Sequence, residues 1–273
     1  MLAEGHFDQA ASHVAPLFAR TGDPTHGFLL LSAQCSVPDF AAAKLTLDAL
    51  AGRARSPEEI ALLARVRSCA SAEWMRHARL KNPALAGRRK DFRLPPPHML
   101  LYTRAAAEHA ARSYPAALAT IEELKRARPA ASGVARTMRG KEIRFDDFVD
   151  ADDLVGGTFP VYHEGEVHDL AISDLKRLVF LPRKDAFHEI WPEVTFETLH
   201  GERGNVCIPR AYAGSGASPD PQVRLGQVTT FDHDLGYAIA LGLRDFWVHG
   251  TDGSKKMMGL TSFERIDFMR LDE

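Results

Sequence analysis

Cysteine is scarce in this chain: three in 273 residues, Cys35, Cys69 and Cys207, an odd number, widely spaced and with no Cys-x-x-Cys pair. That excludes a disulfide framework and a thiolate zinc site, and it fits a reducing compartment. Long apolar runs are missing as well. Runs such as Phe28 to Leu31 fall far short of the roughly 20 residues that cross a bilayer. Met1 to His6 carry neither the basic nor the apolar region of an export signal, so the expected location is cytoplasmic. Charge of one sign is also lacking, with 34 Lys and Arg against 36 Asp and Glu for a net charge of -2. A nucleic-acid coat or a membrane-surface protein needs an excess that this chain does not have. No Gly-x-Ser-x-Gly elbow, P-loop or Gly-x-Gly-x-x-Gly occurs, so the commonest hydrolase, nucleotide and dinucleotide signatures are absent. The expectation is a protein that is not an enzyme and takes no cofactor and no metal.

What is present divides into two unlike halves. Residues 1–136 carry 19 Lys and Arg against 12 Asp and Glu, so +7, and residues 137–273 carry 15 against 24, so -9. Up to about Ala131 the chain is rich in Ala, Leu, Arg and Glu with apolar residues three and four apart, the pattern of amphipathic helices. From about Met138 it turns to short alternating pieces punctuated by Gly and Pro. The expected fold class is α+β. A tetratricopeptide-like helical repeat domain over 1–135 is followed by a mostly antiparallel β domain with short helices over 136–273, the junction lying near 132–142.

Within the helical half, Ser56-Pro57-Glu58-Glu59 reads as an N-cap, a proline at the first helical position and a capping-box glutamate, opening a helix towards Leu80. A spacing of aromatic, Ala, aliphatic, Leu recurs as Phe7-Ala10-Val14-Leu17, Phe40-Ala43-Leu47-Leu50 and Tyr114-Ala117-Ile121-Leu124. It resembles the second helix of a tetratricopeptide repeat, where the small Ala admits a neighbouring helix. The segment between the second and third copies contains Trp74 but no clean repeat. Arg76, Arg79, Lys81, Arg88, Arg89, Lys90 and Arg93 face only Asp91 as counter-charge. This run reads as a solvated connection rather than a nucleic-acid patch, because no aromatic residues are interleaved for base stacking.

In the second half, three hairpins are expected. Thr158–Tyr162 pairs with Glu166–Leu170 about Glu164-Gly165; Val194–Thr198 with Asn205–Ile208; and Phe246–His249 with Met257–Phe263 about Thr251 to Ser254. Ser173 is expected to cap a short helix over Asp174 to Leu178. His163 with His168, and Asp232-His233-Asp234, raise a metal hypothesis without the spacing of a helical histidine pair, and the second reads as a polar turn. Gly214 to Pro219 reads as a flexible surface loop. The most distinctive stretch is Phe145 to Leu154, with five acids in eight positions. The calcium-loop pattern with its distal glutamate is missing, and the favoured reading is aspartates capping backbone N–H groups at a turn or helix start.

Asp150-Ala151-Asp152-Asp153-Leu154, preceded by Phe148 and followed by a hairpin with Glu164-Gly165, resembles the Asp-Ala-Asp-Asp region of the ImpE/SciE/TagJ accessory proteins of bacterial type VI secretion systems. So does the succession of other parts: Gly5-His6-Phe7-Asp8-Gln9-Ala10, the helix Phe40 to Leu50, Phe180-Leu181-Pro182, Ile208-Pro209-Arg210-Ala211-Tyr212, then Gly214-Ser215, and a closing strand Glu264 to Phe268. The family's aromatic Tyr-Trp-Val-Pro-Phe-Glu strand is replaced here by Val167 to Ile172, and Phe180 stands near where a tryptophan is common.

The resemblance implies a non-enzymatic accessory that binds the contractile sheath through the N-terminal helix of its small subunit, with neither nucleic acid nor membrane as partner. Helix-in-groove recognition requires no catalytic group. For an acidic partner helix the expected contacts include Arg88, Arg89 and Arg93; for a basic one, Phe148, Asp150, Asp152 and Asp153. The competing class is a metal-dependent or other hydrolytic enzyme in the C-terminal half. Two carboxylates and a histidine converging in one cleft favour that rival, and an apolar groove between helices favours the binder.

Overall fold

A computed structural model of the protein describes residues 7–36, 39–87, 95–183 and 186–269, and within them seven helices precede the first strand. They are α1 (Phe7–Thr21), α2 (Pro24–Ser36), α3 (Phe40–Ala51), α4 (Pro57–Arg79), α5 (Pro83–Ala86), α6 (Pro97–Ala110) and α7 (Tyr114–Ala127), and each packs on the next in order. Proline occupies the first turn of α4 to α7, where its missing N–H costs no intrahelical bond. The capping box at α4 forms as its sequence predicts: Glu59 N–H donates to Ser56 Oγ, and Ser56 N–H donates back to Glu59 Oε2, both at 3.1 Å. Ala10, Ala43 and Ala117, the small residues of the repeated spacing, are all buried. The first copy departs from the pattern, for Leu17 stays partly exposed and Phe18 fills the seam instead. It can do so because Gly27 on α2 has no side chain: a Cβ there would lie 2.8 Å from the Phe18 ring and 2.5 Å from Leu50.

The strands are β1 (Ser132–Thr137), β2 (Glu142–Asp150), β3 (Thr158–His163), β4 (Glu166–Ala171), β5 (Leu175–Phe180), β6 (Glu193–Thr198), β7 (Arg203–Cys207), β8 (Thr229–Asp232), β9 (Ile239–Gly242), β10 (Asp245–Gly250), β11 (Lys255–Gly259) and β12 (Phe263–Met269), with short helices α8 (Ala186–Ile190) and α9 (Pro221–Arg224) between them. Ten form one sheet in the order β11-β10-β2-β1-β12-β5-β6-β7-β3-β4, and β8 pairs with β9. Every pairing is antiparallel. The change of periodicity read at 132–142 falls on β1 and the turn after it.

The three predicted hairpins are β3–β4, β6–β7 and β10–β11. The first turns on Glu164 and Gly165, both at positive φ, the geometry that matches the twist of the flanking strands. Two local expectations fail. Asp174 to Leu178 is not helical: Ile172–Asp174 is a single 3₁₀ turn and β5 follows. Leu175 and Leu178 are both buried, a spacing of three that imitates a helix, but a register shift between Leu175 and Arg177 against β6 brings both inward from a strand. Phe263 opens β12 rather than closing β11, because another 3₁₀ turn, Leu260–Ser262, separates them.

The sheet curls on itself. β10 and β3 stand second from opposite ends of the strand order, yet Phe246 and Phe159 stack across the interior with centroids 6.1 Å apart, and Phe148 stacks on Phe246 at 4.7 Å. Such a barrel-like roll buries one face of every long strand, and the core it encloses includes Phe145, Leu178, Val194 and Ile266.

Helix α4 lies on β3 and β4, and a second core, with Leu47, Val66, Cys69, Tyr162, Trp191 and Cys207, takes residues from helices and sheet alike. The ion pairs across this junction share one polarity. In Arg65–Glu193, Arg79–Asp169, Lys125–Asp153 and Arg128–Asp147 the cation comes from the helical part and the acid from the sheet part. The +7 and -9 halves therefore meet in complementary contacts. Arg76 and Arg79, read from sequence as part of a solvated connection, are instead mostly buried: Arg79 donates to Asp169 and the Val167 carbonyl, and Arg76 to Glu73 and Tyr162. Arg88, Arg89, Lys90 and Arg93 lie outside the described residues, as do Gly5 and His6. None of the helices among the described residues is long and apolar enough to cross a membrane.

Candidate functional site

The aspartate segment and the Ile-Pro-x-x-Tyr segment, distant in sequence, form one unit. β2 delivers Asp150 to the inner end of the curled sheet, where the chain turns. Tyr212 Oη donates to Asp150 Oδ1 at 2.7 Å and accepts from Asp245 N at 3.1 Å. Arg244 reaches the other oxygen, Nη2 to Asp150 Oδ2 at 2.7 Å, while its guanidinium carbon stands 5.2 Å from the Phe159 ring centre and 5.3 Å from that of Phe246. Burial pushes the Asp150 carboxyl up and the Arg244 charge opposes it, leaving it above its ordinary value. The Tyr212 hydroxyl is pushed well up by burial and by the neighbouring aspartates.

The following acids cap backbone, as the sequence suggests, and they do so at a turn with no helix after it. Asp150 Oδ1 accepts from Asp152 N, and Asp152 Oδ1 from Leu154 N. Asp152 Oδ2 accepts from Ala240 N at 2.9 Å and Asp153 Oδ2 from Ala238 N at 2.8 Å, which clamps β9 against the turn. Phe148, Asp150 and Asp152 are buried, so in this structure they organise the fold and present no side chain to a partner. Asp153 is half-buried and paired with Lys125.

A cleft of about 220 Å³ opens between α2 and α4 on one side and the 189–225 segment on the other. On α4, Glu73, Arg76 and His77 share a face by their spacing of three and four. Arg76 Nη2 and Tyr162 Oη both donate to Glu73, and His77 Nε2 lies 3.0 Å from its Oε1. Burial alone would raise the Glu73 carboxyl, but the Arg76 charge and the His77 bond hold it well below the usual carboxylate range. Opposite, Arg210 Nη1 donates to Glu189 Oε2 at 2.9 Å, and Arg183 pairs with the same carboxylate. The Gly214-Ser215 segment is no free loop: Gly214 takes φ +91°, Ser215 is buried, and its Oγ donates to Tyr212 O and accepts from Gly242 N. Two carboxylates and a histidine thus do line one cleft, but both carboxylates are committed to guanidinium partners. Among the described residues no group of three or more His, Cys, Asp or Glu converges in a way that would hold a metal ion. His163 and His168 stack edge to face at 5.8 Å, and Asp232 Oδ1 caps Asp234 N in a turn.

On another face of α4, an apolar groove of about 440 Å³ runs between α3 and α4. Its walls include Phe40, Leu47, Ala70 and Trp74, and the Trp74 ring is 51% exposed at its mouth. Lys44 and Arg67 stand at its edge, both bound to Asp48. Sequence periodicity marked Phe40 and Leu47 as seam residues and left Trp74 unexplained. Arg210, Arg224 and Arg244 went unnoticed as site residues because isolated arginines carry no spacing signal; the Glu-x-x-Arg-His face of α4 could have been read.

Residues 142–264 match the protein family described as "ImpE protein". That match supports ImpE-family membership over the part of the chain it spans. No curated protein is significantly similar to the chain. Among solved structures, the X-ray structure of protein VPA1032 from Vibrio parahaemolyticus superposes with a TM-score of 0.84 at 18% identity, covering 98% of this chain and 96% of that one. At that identity the likeness establishes a common fold, helices and curled sheet together.

Proposed function

We propose that the protein is a non-enzymatic, cytoplasmic accessory of a type VI secretion system, and that it holds an amphipathic helix of the small sheath subunit in the groove between α3 and α4. The observation that carries the reading is the groove itself: an apolar trough between two helices with a half-exposed tryptophan at its rim, a side chain that costs free energy in water and gains it under a partner. The family match over 142–264 supports the secretion role. Apolar residues at i, i+3 or i+4, and i+7 of the partner would seat in the trough, and acidic flanks would meet Lys44 and Arg67. The absence of turnover is supported by the state of the cleft carboxylates, because a general base must be free to take a proton and Glu73 and Glu189 are both ion-paired.

The test is titration of the full-length protein with a labelled peptide copying the N-terminal helix of the cognate small sheath subunit. Micromolar binding, roughly -8 kcal/mol, is expected of one helix that must also be ordered. A folded protein that binds neither the peptide nor any sheath component defeats the reading.

A further inference from the structure

Apart from that groove, the cleft between α4 and the 189–225 segment holds positive charge that nothing in the described structure neutralises. Arg224, the last residue of α9, lines the cleft with its Nε buried and without a hydrogen-bond partner, and it makes no ion pair with any described residue. Arg210 Nε, on the same wall, is likewise buried and unpartnered, although its Nη1 is engaged by Glu189. A guanidinium N–H withdrawn from water without an acceptor is costly. Both arginines line the one cavity, which therefore carries more guanidinium than carboxylate.

The remaining charges narrow the chemistry. Arg76 is matched by Glu73, and Arg183 and Arg210 share Glu189, so Arg224 is the one lining arginine without a carboxylate. The planar fork of the unmatched Arg224 guanidinium suits a carboxylate, which can accept two parallel N–H bonds from it. The rest of the wall includes Leu29, Ile190, Trp191 and Leu225, which suits an apolar body behind the charged end. We infer that this cleft is a binding site for a small organic acid, an aromatic or aliphatic carboxylate held by Arg224 and Arg210. The site is separate from the α3–α4 groove, so either proposal stands if the other fails.

The full-length protein is titrated by calorimetry and ligand-observed NMR with benzoate and phenylacetate, with benzamide as the neutral isostere and phenyl phosphate as the rival oxyanion. The carboxylates are expected to bind and benzamide not to bind. Arg224→Ala should weaken the carboxylates at least about tenfold, as loss of a charge-assisted pair does, while the melting temperature and peptide binding in the groove are kept. Arg224→Gln, which preserves bulk without charge, should behave as Arg224→Ala, and it replaces that variant if the alanine form is poorly folded. Equal binding of benzamide, preference for phenyl phosphate, no binding of either carboxylate, or unchanged affinity in a folded Arg224 variant each overturns the inference.

Discussion

Arg244 meets Asp150 inside the curled sheet with Nη2 2.7 Å from Oδ2, both side chains essentially removed from solvent. An ion pair so placed is a commitment, because either partner left alone is an uncompensated charge in a low-dielectric interior. Arg244→Met is expected to cost about 3–5 kcal/mol, and the double variant Arg244→Met with Asp150→Asn distinctly less than the sum of the two singles. Urea denaturation of the four proteins measures both.

Asp152 gives the protein an unusual pH dependence. Burial pushes its carboxyl up to about 7, although backbone N–H groups of Ala240 and Leu154 favour the ionised form. A carboxyl whose folded pKa exceeds its unfolded value binds its proton more tightly when folded. Its contribution to stability is therefore full below the unfolded pKa of about 4 and is lost as pH rises towards 7, at up to about 1.4 kcal/mol per pH unit. Asp152→Asn removes that titration. The stability difference between variant and parent, followed by thermal melts from pH 4 to pH 7, should move steadily in favour of the variant.

Ala117 has no exposed surface and sits where α7 meets α6. Ala117→Leu should cost roughly 1–3 kcal/mol by overpacking, readable as a lowered denaturation midpoint with an unchanged slope.

Trp74→Ala separates binding from folding. Because the ring is half-exposed, its loss should alter stability by no more than about 0.5 kcal/mol, while affinity for the sheath-subunit peptide falls by about tenfold or more if the ring anchors the partner. Fluorescence anisotropy and a melt on the same sample give both readings.

The sequence is most informative where local chemistry settles the structure. The capping box at Ser56, the positive-φ turn at Glu164-Gly165 and the buried alanines follow from residues a few positions apart, and the structure shows all of them. The reading weakens where three-dimensional context decides. Leu175 and Leu178 imitate a helix because a bulge alters strand periodicity, and Arg76 and Arg79 look like solvent-facing charge until Tyr162 and Asp169 arrive from elsewhere in the chain. The acidic segment is the instructive case. Its capping role was legible, but its burial was not, because that depends on Arg244 and Tyr212, which lie 94 and 62 residues away.

β1 and β12 lie side by side in the middle of the ten-strand order, with Ser132 opposite Met269. On the ribosome, β12 is the last of these strands to emerge, so the β2 side and the β5 side of the sheet have no shared backbone ladder until it is made. The nascent sheet must wait as two unjoined pieces with open edges, each exposed to mispairing or in need of a chaperone. A premature stop between Gly259 and Phe263 would not trim the sheet at its rim. It would leave a gap at its centre.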